Sequence, residues 1–397
     1  MSYKSFRHGI SWLLVGIVLG GALVIGIDHF VTLPHERAAQ QVKNNQQSNQ
    51  QRAENRLQKN KERQKKPVAD PYAKNVASQL TPVQTQLIKK LLTTNKVIGT
   101  LLVVKNNKVI WQQGFGYADA AAQRGNNAAS LYQIGSIQKS LTATLFVKDL
   151  IDTGKVKYND PVAKYYPTIP HGHQITIRDM LDMVSGIYHT DLADKVMTDQ
   201  EIVNWSAKHL TVKPENIGLF SYQPINFTLL TGILEKETGQ NYQDLLDQQL
   251  LTPLNLVHTG FVQAMGDEKH RTYSYKDGTT YQRYPDESQV EISRELGTGN
   301  LYASAGDLFR MEQGIIQGKI ISKKRLAELR NTTNGSYRGG AYCFKTYVNG
   351  HGVEAGYDAG YALAKDGRSG VVLLANTYPK QTTSKLATQI AQMVLHI

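Results

Sequence analysis

Ser136 and Lys139 stand three residues apart in the stretch Ile134-Gly135-Ser136-Ile137-Gln138-Lys139-Ser140-Leu141-Thr142-Ala143. Gly135 admits a tight turn, and the residues after Ser136 suit the first turns of a helix, on which positions three apart share a face. A serine hydroxyl is a poor nucleophile until a base takes its proton, and a lysine amine serves only if burial or nearby positive potential lowers its pKa. A helix N-terminus supplies such potential and also favours an oxyanion at the Ser136 backbone N–H. S-x-x-K by itself is short, and a plain surface helix can carry it.

The elements that must hold this pair are legible from periodicity and punctuation. Ser78 to Leu92 has apolar residues at helical spacing and Pro82 near its start. Val97–Lys105 and Lys108–Tyr117 are β-rich runs around Asn106-Asn107, a hairpin pattern. The Ser136 helix is expected to run to about Asp152, with Gly154 beyond its end. Helical segments follow at Thr176–Val184, Asp199–His209, Ile225–Thr238 and Tyr242–Leu251, which together suggest an all-helical subdomain, and Leu301–Gln317 is a further helix. Ala341–Val348, Tyr357–Ala364 and Gly370–Asn376 are strand-like, with Asp366-Gly367 as a turn, and Gln381–Leu395 closes as a helix. Strands at both ends with helices between them predict one sheet built from both termini around a helical insertion.

Residues 1–70 carry eleven Lys/Arg against five Asp/Glu, half of the formal net charge of +12. Ile10 to Ile27 is eighteen residues without a charge, long enough at about 1.5 Å per residue to cross a bilayer core. With Lys4 and Arg7 before it and Asp28 after it, the expected orientation leaves the N-terminus (1–9) cytoplasmic and everything beyond the helix outside. A cleaved signal peptide is the competing reading, although no small-x-small site follows promptly. Gly16 and Gly20 form G-x-x-x-G, a common pattern in membrane helices. Residues 28–70 turn to Gln, Asn, Lys, Arg and Glu, the composition of a polar stalk. Pro67 and Pro71 mark its border with a folded domain at 71–397. The stalk lacks aromatic interleaving, so no nucleic-acid partner is expected. Cys343 is the lone cysteine and suits a buried small residue. His171-Gly172-His173 has metal-ligand spacing without supporting ligands, and no nucleotide loop follows a strand.

Four ordered blocks resemble the serine β-lactamase and penicillin-binding-protein superfamily, in its class C β-lactamase and D-alanyl-D-alanine carboxypeptidase branch. They are Ile134–Ala143; Ile175–Leu181 with Ser185-Gly186-Ile187; Phe220–Gly239; and Gly299–Leu308. The resemblance implies an α+β fold of the β-lactamase/transpeptidase type: an antiparallel sheet flanked by helices plus an inserted all-helical subdomain, preceded by the membrane helix and stalk. It matches Ser136 to the acylated serine, Lys139 to its base, and Tyr222 to the tyrosine of Y-x-N that exchanges protons with the nucleophile and leaving group. Substrate-binding candidates are His351, Gly352 and Asn226. His351 is matched to the cation that binds a substrate carboxylate. Two positions depart from the pattern. Pro224 replaces the asparagine of Y-x-N, and Val353 stands where the H-x-G strand has its glycine.

The resemblance thus implies an extracytoplasmic, membrane-anchored, single-pass serine acyl hydrolase that works through a Ser136 acyl-enzyme and needs no cofactor or metal. Its expected partners are D-alanyl groups of peptidoglycan or teichoic acid, with β-lactam adduct formation following from the same chemistry. The alternatives are a β-lactamase and a catalytically degenerate wall-binding or regulatory homologue.

Overall fold

The structure is a computed structural model and describes residues 72–266 and 268–397. The expected cytoplasmic N-terminus (1–9), membrane helix (10–27) and polar stalk (28–70) lie outside the described residues.

Helix α1 (Pro82–Thr94) starts on a capping box in which Thr81 and Gln84 satisfy each other's backbone N–H groups. Strands β1 (Gly99–Lys105) and β2 (Lys108–Phe115) form the expected hairpin, and Asn106 and Asn107 both take left-handed backbone angles, as a two-residue turn of this kind requires. Helix α2 (Gln138–Phe146) follows a single 3₁₀ turn at Gly135–Ile137 and continues as wider turns at Val147–Ile151. Then come α3 (Ile177–Leu181), α4 (Asp199–Lys208), α5 (Ile225–Thr238) and α6 (Ala305–Ile316). The C-terminal part supplies β3 (Asn334–Arg338), β4 (Ala341–Phe344), β5 (Tyr347–Glu354), β6 (Tyr357–Ala364) and β7 (Gly370–Ala375), and α7 (Thr383–Leu395) closes the chain.

One seven-stranded sheet has the order β3-β4-β5-β6-β7-β1-β2, with every neighbouring pair antiparallel. As predicted, both ends of the described chain build it. Successive residues of β1 alternate between two cores: Leu101 and Val103 face α1 and α7, whereas Leu102 and Val104 join the core shared with the central helices. Burial on both faces explains why β1 is an unbroken apolar run.

Three expectations need correction. Leu301–Ala303 is a strand, paired with residues 132–133 and 259–261, and α6 begins only after Ser304, whose side chain caps Asp307. The predicted strand 341–348 breaks at Lys345-Thr346 into β4 and β5. The inserted region is not wholly helical, because Ile187–His189 pairs with Leu210–Val212.

Helix α2 shows no amphipathic pattern because all nine of its residues are buried. Its polar side chains are taken up internally. Gln138 donates to Asn300 at 3.0 Å, Thr142 donates to the Gly297 carbonyl at 2.7 Å, and Thr144 donates to the Ser140 carbonyl at 2.8 Å. Segment 297–300 is therefore bonded to the first half of α2.

Candidate active site

Ser136 sits in the 3₁₀ turn that opens α2, and Lys139 lies one turn on, completely buried. Lys139 Nζ donates to Ser136 Oγ at 2.9 Å and to the Thr298 carbonyl at 3.0 Å. The spacing seen in the sequence thus becomes a direct contact, and the 297–300 segment fixes the amine from the other side.

Strand β5 runs against this turn at backbone distance. A Cβ on Gly352 would lie 2.0 Å from the Ile134 carbonyl oxygen and 2.8 Å from the Ser136 nitrogen. No side chain fits there. Gly352 is therefore the glycine that close approach to the Ser136 turn demands, and Val353, half-exposed, is not a defect in that role. The expectation that Val353 occupies the glycine position is corrected by one residue. From the other side, Gly135 has φ +47, and a Cβ on it would meet the Val353 backbone at 2.8–3.0 Å.

Tyr222 precedes α5, held by its neighbours: Ser221 N–H donates to the Met183 carbonyl at 2.9 Å. Its ring centroid lies 5.4 Å from Lys139 Nζ, and it meets Tyr337 edge-on. Ser136, Tyr222, His351, Gly352 and Val353 line one cleft of about 180 Å³, walled also by Tyr337 and Tyr342. Burial raises the pKa of both Tyr337 and Tyr342, which keeps these phenols neutral as walls. His351 Nε2 is hydrogen-bonded to Asp358 Oδ1 at 3.0 Å, and that carboxylate oxygen also accepts from Thr383 N–H at 3.0 Å.

Asn226 does not reach the cleft. It is fully buried, accepts from Ser185 Oγ at 2.7 Å and donates to the Gln223 carbonyl at 3.0 Å, so it ties the Ser185 turn to α5. Its expected role in substrate binding gives way to a structural one. Pro224 opens α5 with φ −53°, and its carbonyl accepts from Phe227 N–H at 2.8 Å. A proline costs nothing at a helix start, but it offers no amide to Lys139.

The beta-lactamase family model matches residues 85–394. The chain belongs to the beta-lactamase family. This family member is a serine hydrolase by descent, and its relatives carry names from the same superfamily. It is 28% identical over 328 residues to the "Putative penicillin-binding protein PbpX" of Bacillus subtilis, covering 81% of this chain and 82% of that one. It is 27% identical over 238 residues to the teichoic acid D-alanine hydrolase of Staphylococcus aureus, covering 60% of this chain and 59% of that protein. Among solved structures, FmtA from Staphylococcus aureus aligns at 25% identity with a TM-score of 0.70, over 86% of this chain and 94% of that one. The D-amino acid amidase from Ochrobactrum anthropi shares the fold at 20% identity, with a TM-score of 0.64 over 79% of this chain and 97% of that one.

Sequence reading of this beta-lactamase-family chain missed several groups around the dyad. Thr298 contributes only a carbonyl, which no residue type announces. Tyr337 and Tyr342 come from strands β3 and β4, far along the chain and among 21 tyrosines. Asp358 lies diagonally across from His351 on β6. Glu354, at the end of β5, shares a hydrogen bond with Glu287, and Glu295 lies close to both. Burial first, then repulsion from Glu295, pushes these two carboxyls up to about 7 and about 8, with Gln133 opposing the rise at Glu287 and Lys139 partly opposing it at Glu354.

Proposed function

We propose that this protein is a Ser136 acyl hydrolase that removes D-alanyl groups from ester-linked wall polymers, facing the wall from a membrane anchor at residues 10–27. The observation that carries the reading is the buried Lys139 amine 2.9 Å from Ser136 Oγ at the mouth of a cleft also lined by Tyr222.

In this reading Lys139 takes the Ser136 proton, and Oγ attacks the carbonyl carbon of the D-alanyl ester. The oxyanion is received by the Ser136 N–H, with the Gly352-Val353 backbone alongside. Tyr222 returns a proton to the leaving alcohol oxygen, and water then releases D-alanine from the acyl-enzyme.

Two features favour an ester over a D-alanyl-D-alanine peptide. A carboxypeptidase must bind a terminal carboxylate, yet His351 is already committed to Asp358, and the cleft lining holds no Lys or Arg. At about 180 Å³ the cleft is also smaller than the roughly 300–1,000 Å³ of drug-sized ligand sites, which suits a small acyl group. The names of the teichoic acid D-alanine hydrolase and penicillin-binding relatives support D-alanyl chemistry at the wall.

The test is covalent trapping followed by turnover. A fluorophosphonate or penicillin adduct is expected by intact mass on the wild type and none on Ser136→Ala. D-Alanine release is expected to be faster from D-alanyl-lipoteichoic acid than from a D-alanyl-D-alanine peptide. Absence of any adduct in folded protein would sink the hydrolase reading in favour of a wall-binding homologue. Faster peptide turnover would sink the ester preference and restore a carboxypeptidase.

A further inference from the structure

Lys139 is held from two sides, and the side away from Ser136 is a backbone group, the Thr298 carbonyl, which accepts from Nζ at 3.0 Å. The direction of that carbonyl depends on what fixes residue 298. Thr298 Oγ1 donates to Glu295 Oε2 at 2.5 Å, and the Thr298 and Gly299 N–H groups donate to the Glu295 carbonyl at 3.1 and 3.2 Å. Thr298 is 1% exposed, so its hydroxyl is shielded from water. Glu295 thus grips residue 298 through both side chain and backbone, and a continuous path runs from its carboxyl through Thr298 to Lys139 and Ser136.

Glu295 is itself well anchored. It directly follows the helix Gln289–Arg294, which starts on a capping box between Ser288 and Glu291 and is tied by Arg294 Nε to the Ala193 carbonyl at 2.6 Å. A Cβ on Gly299 would lie 2.7 Å from Glu295 Oε2 and 3.5 Å from Glu354 Oε2. Glycine at 299 is what lets the Glu295 carboxyl close on this turn.

We propose that Glu295 is a positioning residue for Lys139 in the Ser136 reaction, acting through Thr298; this rests on the acyl-hydrolase reading above. A neutral amine has two N–H groups and one lone pair. With one N–H taken by the Thr298 carbonyl, the lone pair is free to turn to the Ser136 hydroxyl 2.9 Å away. Once the proton has moved, the buried ammonium needs acceptors, and the same carbonyl supplies one. Loosening Thr298 therefore slows the step in which Lys139 takes the proton. It leaves binding in the cleft untouched, because neither Glu295 nor Thr298 lines it.

Fluorophosphonate acylation of the full chain, followed by intact mass over a range of reagent concentrations, separates the maximal rate from the half-saturating concentration. Glu295→Ala is expected to lower the maximal rate about tenfold and to change the half-saturating concentration by less than about twofold. Glu295→Gln keeps an acceptor for Thr298 and is expected to recover most of the loss. Thr298→Val keeps the carbonyl and the shape but loses the hydroxyl; it is expected to match Glu295→Ala, and it carries the test if that variant misfolds by circular dichroism. A double-mutant cycle separates positioning from a general weakening of the fold. In a Lys139→Ala background, where no amine is left to place, Glu295→Ala is expected to change the residual rate by less than about twofold. An equal loss in both backgrounds, a loss confined to the half-saturating concentration, or full-rate acylation of the folded variants would overturn the positioning role alone. No adduct on the wild type would remove the acyl-hydrolase reading and this inference with it.

Discussion

Lys139 presents no surface to water, so its amine can exchange a proton only with what touches it, and of its two partners the Thr298 carbonyl can only accept a hydrogen bond. In the proposed reaction the proton of Ser136 is the one it takes. Replacing Lys139 by Ala is expected to slow fluorophosphonate acylation by about 10³-fold, within the range of a lost general base, with the fold intact by circular dichroism. Tyr222→Phe removes only the phenolic oxygen and keeps the ring against Tyr337. Its expected effect is about 10²-fold on ester turnover, read by D-alanine release. An unchanged rate in stopped-flow or release assays would assign the proton to another donor. At this scale the sequence was most informative, because Ser136, Lys139 and Tyr222 are chemical types at recognisable spacings. It was least informative for Thr298, since a backbone acceptor leaves no mark on residue type.

Contact between β5 and the turn before α2 is what converts the dyad into a cleft. Gly352 is the position that permits it, and the Ile134 carbonyl occupies the space that a side chain would need. Gly352→Ala is expected to destabilise the protein by about 1–3 kcal/mol through overpacking and to lower Ser136 acylation at the same time. Urea midpoints and adduct formation measure the two effects, and full acylation in the variant would show that the strand can retreat without cost. Asn226 illustrates how an element can absorb an expected site residue. Its place as the second residue of α5 points the amide at the Ser185 loop, so it holds the chain that carries Tyr222 and does not enter the cleft. Sequence spacing named the right helix but not the face on which this amide falls.

Across the whole molecule, the native state keeps carboxyls protonated that an unfolded chain would ionise. Glu287 and Glu354 are raised to about 7 and about 8, and burial lifts Asp182 to about 6 despite Arg178 at 2.9 Å. Through these three groups the native state binds more protons than the unfolded state between about pH 4.5 and 8, so their contribution to stability falls as pH rises through that window, while His189 and His270, lowered by burial, work the opposite way around the ordinary imidazole range. Urea midpoints are expected to decrease from pH 5 to pH 8, and Glu354→Gln should flatten part of that decrease, with its gain confined to the alkaline side. A variant no more stable than wild type at pH 8 would count against the raised pair. The same scale explains the sheet. Strand β1 pairs with β7 across some 270 residues of chain, Gly99 lying opposite Ala375, and only closure of the whole domain brings them together.

The sequence by itself determined the apolar runs that become β1, β6 and β7, the helix limits at Ile225–Thr238, the hairpin at Asn106-Asn107 and the chemical identity of the dyad. These depend on local periodicity, turn chemistry and side-chain type, all carried by neighbouring residues. Tertiary structure alone decided which glycine faces Ser136, that Asn226 turns inward, and that His351 is held by Asp358. Each of those depends on backbone and side chains meeting from distant parts of the chain, where a shift of one residue in register exchanges the face a side chain presents.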